Sequence, residues 1–140
     1  MYIKAMRIRT IEEKRVNKVN EPIDGEYKAL VNYGILALIQ LSLKEEKEMD
    51  LPLERVENLY RFYKEEAETL MMKKNHDYGE AWRTMRISSI TDLILAKILR
   101  IKQIEDNKGE VTASEGVEGN YFDIIIYAVF CLIRLGEDAS

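Results

Sequence analysis

Residues 115–135 read EGVEGNYFDIIIYAVFCLIRL and residues 21–41 read EPIDGEYKALVNYGILALIQL; laid over one another they share Glu, Gly, Tyr, Tyr, Leu and Ile in the same order. Each is apolar nearly all round, from Ala29 to Leu41 and from Ile124 to Ile133, as in a buried helix rather than one laid on a surface. Ile124-Ile125-Ile126 alone could pass for a buried strand, but the length of the segment and its equivalence to the Ala-rich copy decide for helix. Just upstream of each, KAMRIRTIE at 4–12 lies over KILRIKQIE at 97–105. The chain therefore reads as an internal repeat, complete over 51–137 and partial over 1–47. The partial copy has no counterpart to residues 51–92, so it is expected to lack half a unit or to borrow one from a second chain.

Working outward, five main helices are expected. The first runs from about Tyr2 to Arg15 on a stripe of Ile3, Met6, Ile8 and Ile11. The second runs from about Asp24 to Lys47. A third opens with Asp50 as cap and Pro52 in its first turn, carries Leu53, Val56, Leu59, Tyr60, Tyr63, Ala67, Leu70 and Met71, and ends at 75–79. Ser88 or Ser89 opens a fourth, through about Asp106, and the fifth runs from about Glu118 to Leu135. Small polar residues after Gly109 form a loop. The expected architecture is one all-α bundle over 1–140, with the second and fifth helices side by side about a pseudo-twofold axis and the charged helices outside.

Composition narrows the function classes. A chain of 140 residues supports one domain with a core. The net charge of −4 is modest, so bulk electrostatics does not argue for an acidic membrane or nucleic acid as partner, and DNA binding through Lys73, Lys74, Arg83 and Arg86 is the weaker expectation. Cys131 cannot form an internal disulfide and reads as a small buried hydrophobe. No signal-peptide pattern opens the chain, and the uncharged run Ile124–Ile133 is too short to span a bilayer, so a cytoplasmic protein is expected.

Chemistry-bearing residues gather in three places. Lys73-Lys74-Asn75-His76-Asp77-Tyr78-Gly79, followed by Trp82, Arg83 and Arg86, holds the only His and the only Trp. Gly79 suits a left-handed helix end, and the turn sets cations for phosphate beside aromatics for a base. At the start of the fifth helix stand Glu115, Glu118 and Asp123. A carboxylate such as Asp123 in so apolar a helix needs a cation or a metal beside it. In the fourth helix Asp92 and Arg100 share a stripe, with Lys97 next to it. Acids in such a set suit Mg²⁺, and the cations suit a polyphosphate. Comparing the copies, Lys4/Lys97, Arg7/Arg100, Glu21/Glu115 and Tyr33/Tyr127 persist, whereas Asp123 stands opposite Ala29. The persisting charges read either as a Lys97 or Arg100 ion pair with Glu115, or as a site complete only in the second copy.

Lys-Asn-His-Asp-Tyr-Gly-Glu-Ala-Trp at 74–82, Ser-Ser-Ile-Thr-Asp-Leu-Ile at 88–94, Lys-x-x-Arg-Ile at 97–101, Glu115-Gly116, and Asp123 with Tyr127-Ala128 resemble the nucleotide modification associated domain, type 1. The resemblance covers about Leu59 to Leu135, with Tyr2 to Leu41 as the back half of another copy, and implies a link to nucleotide or DNA modification. A looser similarity is to MazG-type all-α nucleoside triphosphate pyrophosphohydrolases, whose carboxylates hold Mg²⁺ for attack by water. The chain departs from their Glu-x-x-Glu and Glu-x-x-Asp signature: Glu118 and Asp123 are five apart and Asn120 stands where a Glu would give the spacing.

Together these readings lead to a small nucleotide-binding protein, with Mg²⁺-dependent hydrolysis as the expected extension. Asp123 and Asp77 are the catalytic candidates. Glu115, Asp123 and Asp92 are the metal candidates. Lys74, His76, Tyr78, Trp82, Arg83, Lys97 and Arg100 are the nucleotide candidates. The alternative is a non-catalytic helical interaction module that works as a homodimer.

Overall fold

The computed structural model describes residues 1–14, 23–43, 52–107 and 116–138; within these, the side chains of residues 2, 10–14 and 138 are left out. Among the described residues the chain is all helix: α1 (Tyr2–Lys14), α2 (Ile23–Leu43), α3 (Leu53–Tyr78), α4 (Ile87–Asp106) and α5 (Val117–Asp138), with a 3-10 turn at Ala81–Thr84 between α3 and α4. The expected all-α bundle of five helices is what forms.

The apolar pair decides the packing. α2 lies along α5 over the most extensive contact in the molecule, α4 covers α5, and α1 bridges α2 and α4. Leu30, Ile35 and Leu38 of α2 and Ile124, Ile125, Ile126, Ala128 and Cys131 of α5 are buried, which removes enough apolar surface from water to make this pair the core. Gly34 lets the two helices approach: a Cβ there would stand 2.6 Å from Ile125 Cγ1. By length and composition α5 could cross a membrane from Val117 to Glu137, a wider span than Ile124–Ile133; in this fold it is the central core helix.

Some sequence expectations shift. On α1 the buried positions are Ala5 and Ile8, whereas Ile3 is 80% exposed and Met6 also faces out. The 3.6-residue period runs through Met1, Ala5 and Ile8, which puts Ile3 and Met6 on the other side. No serine caps α4. It starts at Ile87, with the Arg86 carbonyl accepting from the Ser89 and Ile90 N–H groups at 2.9 and 3.2 Å. Pro52 precedes α3 rather than sitting in its first turn; Asp50, Lys47 and the loop after Gly109 lie outside the described residues. On α3 only Ala67 is buried, and Leu53 and Phe62 are exposed. The helix touches the bundle along one face, from Leu59, Tyr60 and Tyr63 to Leu70, over an apolar gap of about 350 Å³ lined by residues such as Ile35, Ala67, Met71 and Ile125.

Candidate functional site

Three helices each contribute one stripe to a shared cleft. At i, i+3 or i+4, and i+7 or i+8 spacing, residues stack on one helix face. The stripe is Leu70, Lys74 and Tyr78 on α3, Leu93, Lys97 and Arg100 on α4, and Asn120, Asp123 and Tyr127 on α5. Asp123 ties them together. Its Oδ1 accepts from Lys74 Nζ at 2.5 Å and its Oδ2 lies 3.1 Å from Lys97 Nζ. The carboxylate is 15% exposed, and the two ammoniums offset its desolvation. This answers the expectation that Asp123 needs a charged partner, and the partners are lysines.

The cleft has two adjoining parts. One, of about 520 Å³, is lined by Leu70, Lys74, Lys97, Arg100, Gly119, Asn120 and Asp123. It reaches the first turn of α5, where Gly119 has open space around its Cα and helix N–H groups favour negative charge. The other, of about 390 Å³, shares Lys74, Lys97 and Asp123 and is walled by Tyr78, Trp82, Met85, Tyr127 and Phe130 among others. A cationic half therefore opens directly into an aromatic half.

The segment 74–82 builds the aromatic wall. Gly79 and Glu80 take left-handed backbone conformations at φ 61° and 56°, which reverse the chain into the 3-10 turn. Trp82 then lies flat on Phe130 at 4.5 Å between ring centroids, and its Nε1–H donates to Asn75 Oδ1 at 2.7 Å. Asn75 in turn donates to Glu80 Oε1 at 3.2 Å. That hydrogen bond, and then the Arg83 guanidinium, hold the Glu80 carboxyl below its ordinary value. Arg134 closes the bracket from α5, donating to the carbonyls of Trp82 and Met85 at 3.2 and 2.5 Å.

The remaining candidates fall elsewhere. Arg83 pairs with Glu80 and Glu137 at 2.7 and 2.6 Å and lies over the Trp82 ring at 4.4 Å. His76 is 90% exposed and stands beside Asp77, itself open to solvent, and neither is among the described lining of the cleft. Asp92 pairs with Arg9 of α1. Glu115 lies outside the described residues, and with it the expected Lys97–Glu115 or Arg100–Glu115 pair. Among the described residues no three His, Cys, Asp or Glu side chains converge. The carboxylates described do not fit a magnesium site: Asp123 is already held by two ammoniums, and Asp77 and Asp92 point to other partners.

The sequence comparison passed over one position. Glu26 is buried at 2% exposure between Lys4 and Arg7, with contacts of 3.2 and 2.8 Å. Lys4 and Arg7 align with Lys97 and Arg100, and Glu26 aligns with Asn120. Where α1 and α2 carry a carboxylate against their Lys and Arg, α4 and α5 carry an amide. Asn120 is also buried and donates to the Gly116 carbonyl at 3.0 Å. The signal lay in the unmatched pair at this position, not in the residues that persist.

The chain matches the family profile described as nucleotide modification associated domain 1 over residues 1–41 and 74–135. It belongs to that family. The nucleotide modification associated domain 1 match takes in α1, most of α2, all of α4 and the cleft residues from Lys74 to Phe130, leaving out Leu70 and the rest of α3 before it. No curated protein and no solved structure matches the chain, MazG-type hydrolases included.

Proposed function

We propose that this nucleotide modification associated domain binds a nucleotide or a closely related phosphorylated small molecule in the cleft between α3, α4 and α5. The observation that carries the reading is the amide at Asn120. The lining of the polar half holds three cations, Lys74, Lys97 and Arg100, and Asp123 as its one carboxylate among the described residues. The corresponding carboxylate position of α2, Glu26, is filled. A phosphate takes up charge-assisted hydrogen bonds from the lysines and Arg100. The base lies in the aromatic half, where Tyr78 and Tyr127 offer rings beside the Trp82–Phe130 stack that backs the wall. The two volumes are in the range of small-molecule sites. The family name points the same way. The reading stops at binding and assigns no hydrolytic step.

The test is calorimetric titration with deoxynucleotides, carried out on the parent and on Asn120→Glu, which copies Glu26 into the cleft. The parent is expected to bind, and the variant to lose at least about tenfold in affinity. Absence of heat with every nucleotide and with inorganic phosphate would sink the reading, and so would an unchanged Asn120→Glu affinity in a folded variant.

A second reading has its own observation. Tyr33 and Leu36, aligned with Tyr127 and Phe130, are each 44% exposed on α2, whereas Phe130 is covered by Trp82. That face could seat a second copy of the chain, making the protein an interaction module. Light scattering separates the two: a monomer at all concentrations, in the parent and in Leu36→Lys alike, counts against assembly.

A further inference from the structure

Resting on the binding reading above, we infer that Asn75 and Glu80 read the edge of the base in the aromatic half of the cleft. They favour a base with an exocyclic amine beside a ring-nitrogen acceptor, such as cytosine or adenine, over uracil or thymine. Both residues line that half. Lys74, Lys97 and Asp123 line it too, but they also line the cationic half and pair with one another. In the described lining, the polar side chains left for a base edge are Asn75, Glu80 and the phenols of Tyr78 and Tyr127. A phenol donates or accepts, so it does not discriminate. Asn75 Oδ1 accepts from Trp82 Nε1–H at 2.7 Å, which fixes the way the amide points, and Asn75 Nδ2 donates to Glu80 Oε1 at 3.2 Å. One amide hydrogen is left. Glu80 accepts from Asn75 on Oε1 and from Arg83 on Oε2, the latter at 2.7 Å. A carboxylate has about four acceptor sites, so each oxygen has room for a further donor, and the side chain is 46% exposed. The same two partners, Asn75 first, hold the carboxyl below its ordinary value, so at neutral pH it accepts and does not donate. The pair thus sets an acceptor beside a donor. The amine hydrogen and neighbouring ring nitrogen of cytosine or adenine answer both, whereas the carbonyl of uracil or thymine would place an oxygen against the carboxylate. The backbone holds the two residues together as well. Glu80 stands in the left-handed region at φ 56°, a strained place for a residue with a side chain, and its N–H bonds to the Asn75 carbonyl at 3.3 Å.

The experiment is calorimetric titration at fixed ionic strength with two pairs that exchange only an amine for a carbonyl. These are the 5′-monophosphates of deoxycytidine and deoxyuridine, and of deoxyadenosine and deoxyinosine, with inorganic phosphate alongside. In each pair that binds, the amine member is expected to bind about tenfold more tightly. In Glu80→Gln, whose amide donates as well as accepts, that ratio is expected to fall toward unity, a change that a merely structural role for Glu80 would not produce. A carbonyl member that binds the parent at least as tightly as its amine partner overturns the inference and leaves nucleotide binding standing. So does a folded Glu80→Gln with the parent ratio. Binding of inorganic phosphate but of no nucleotide overturns it as well. Should neither nucleotide nor phosphate bind, the binding reading itself has failed. The ranking in the parent needs no variant, so a misfolded Glu80→Gln does not shield the inference.

Discussion

The α1–α2 side and the α4–α5 side of the molecule share a Lys-x-x-Arg ahead of an apolar helix and differ in where their acid stands. On the first, Lys4 and Arg7 both meet the single buried carboxylate of Glu26. On the second, Lys97 and Arg100 line a cleft with Asn120, and the acid stands one turn on at Asp123, where it pairs with Lys97 and Lys74. The apolar surface differs in the same sense. Phe130 lies under Trp82, while Leu36 is left half open. The first set of charges closes on its own acid, whereas the second lines a cleft beside an aromatic wall.

The largest effect that sharpens this contrast is expected at the wall. Trp82→Ala removes the stack on Phe130, the hydrogen bond to Asn75 and the ring beneath Arg83. It should cost about 3–5 kcal/mol in urea unfolding. Leu36→Ala, at the aligned uncovered position, should cost about 1 kcal/mol or less. Equal costs for the two would remove the distinction between a covered and an open helix.

Next comes the line where the two halves meet. Gly34 aligns with Ala128, which already carries a Cβ. Gly34→Ala would drive its Cβ to 2.6 Å from Ile125 Cγ1, and a destabilisation of about 1–3 kcal/mol is expected from overpacking. Thermal unfolding checks it; a gain in stability, as helix propensity alone would give, would show that α2 and α5 do not approach this closely.

The smallest effect concerns the bracket around Trp82. The Glu80 carboxyl is held below the ordinary 4.5, first by Asn75 and then by Arg83. A carboxylate with a lowered folded-state value contributes above its unfolded value, and the contribution is lost as pH falls from there through the lowered one. The near-UV signal of Trp82 should therefore change in acid below pH 4.5. Glu80→Gln should flatten that change with little effect on overall stability. The α1–α2 side has no such bracket among the described residues, so no matching signal is expected from Tyr27.

The helices were legible because their causes are local. The uninterrupted apolar runs of α2 and α5 could only be buried, and Gly79 marked the end of α3. Asp123 was legible as an acid in need of a partner. What escaped was direction. Ile3 and Met6 look like core residues and face outward, because the buried stripe of α1 is fixed by where α2 and α4 lie. Asp77, Asp92 and Asp123 look alike in the chain and part company in space, as an exposed acid, a partner of Arg9 and a clamp on two lysines.

The sequence by itself determined an all-helical chain, the two central helices and the family, since periodicity, apolar content and motif are properties of order along the chain. Only the tertiary structure decided which charges meet. Ion pairing depends on distances of a few ångströms between helices far apart in sequence, and it was the packing of α3 and α4 on α5 that gave Asp123 its two lysines and put Asn120 in one cleft with Lys97 and Arg100.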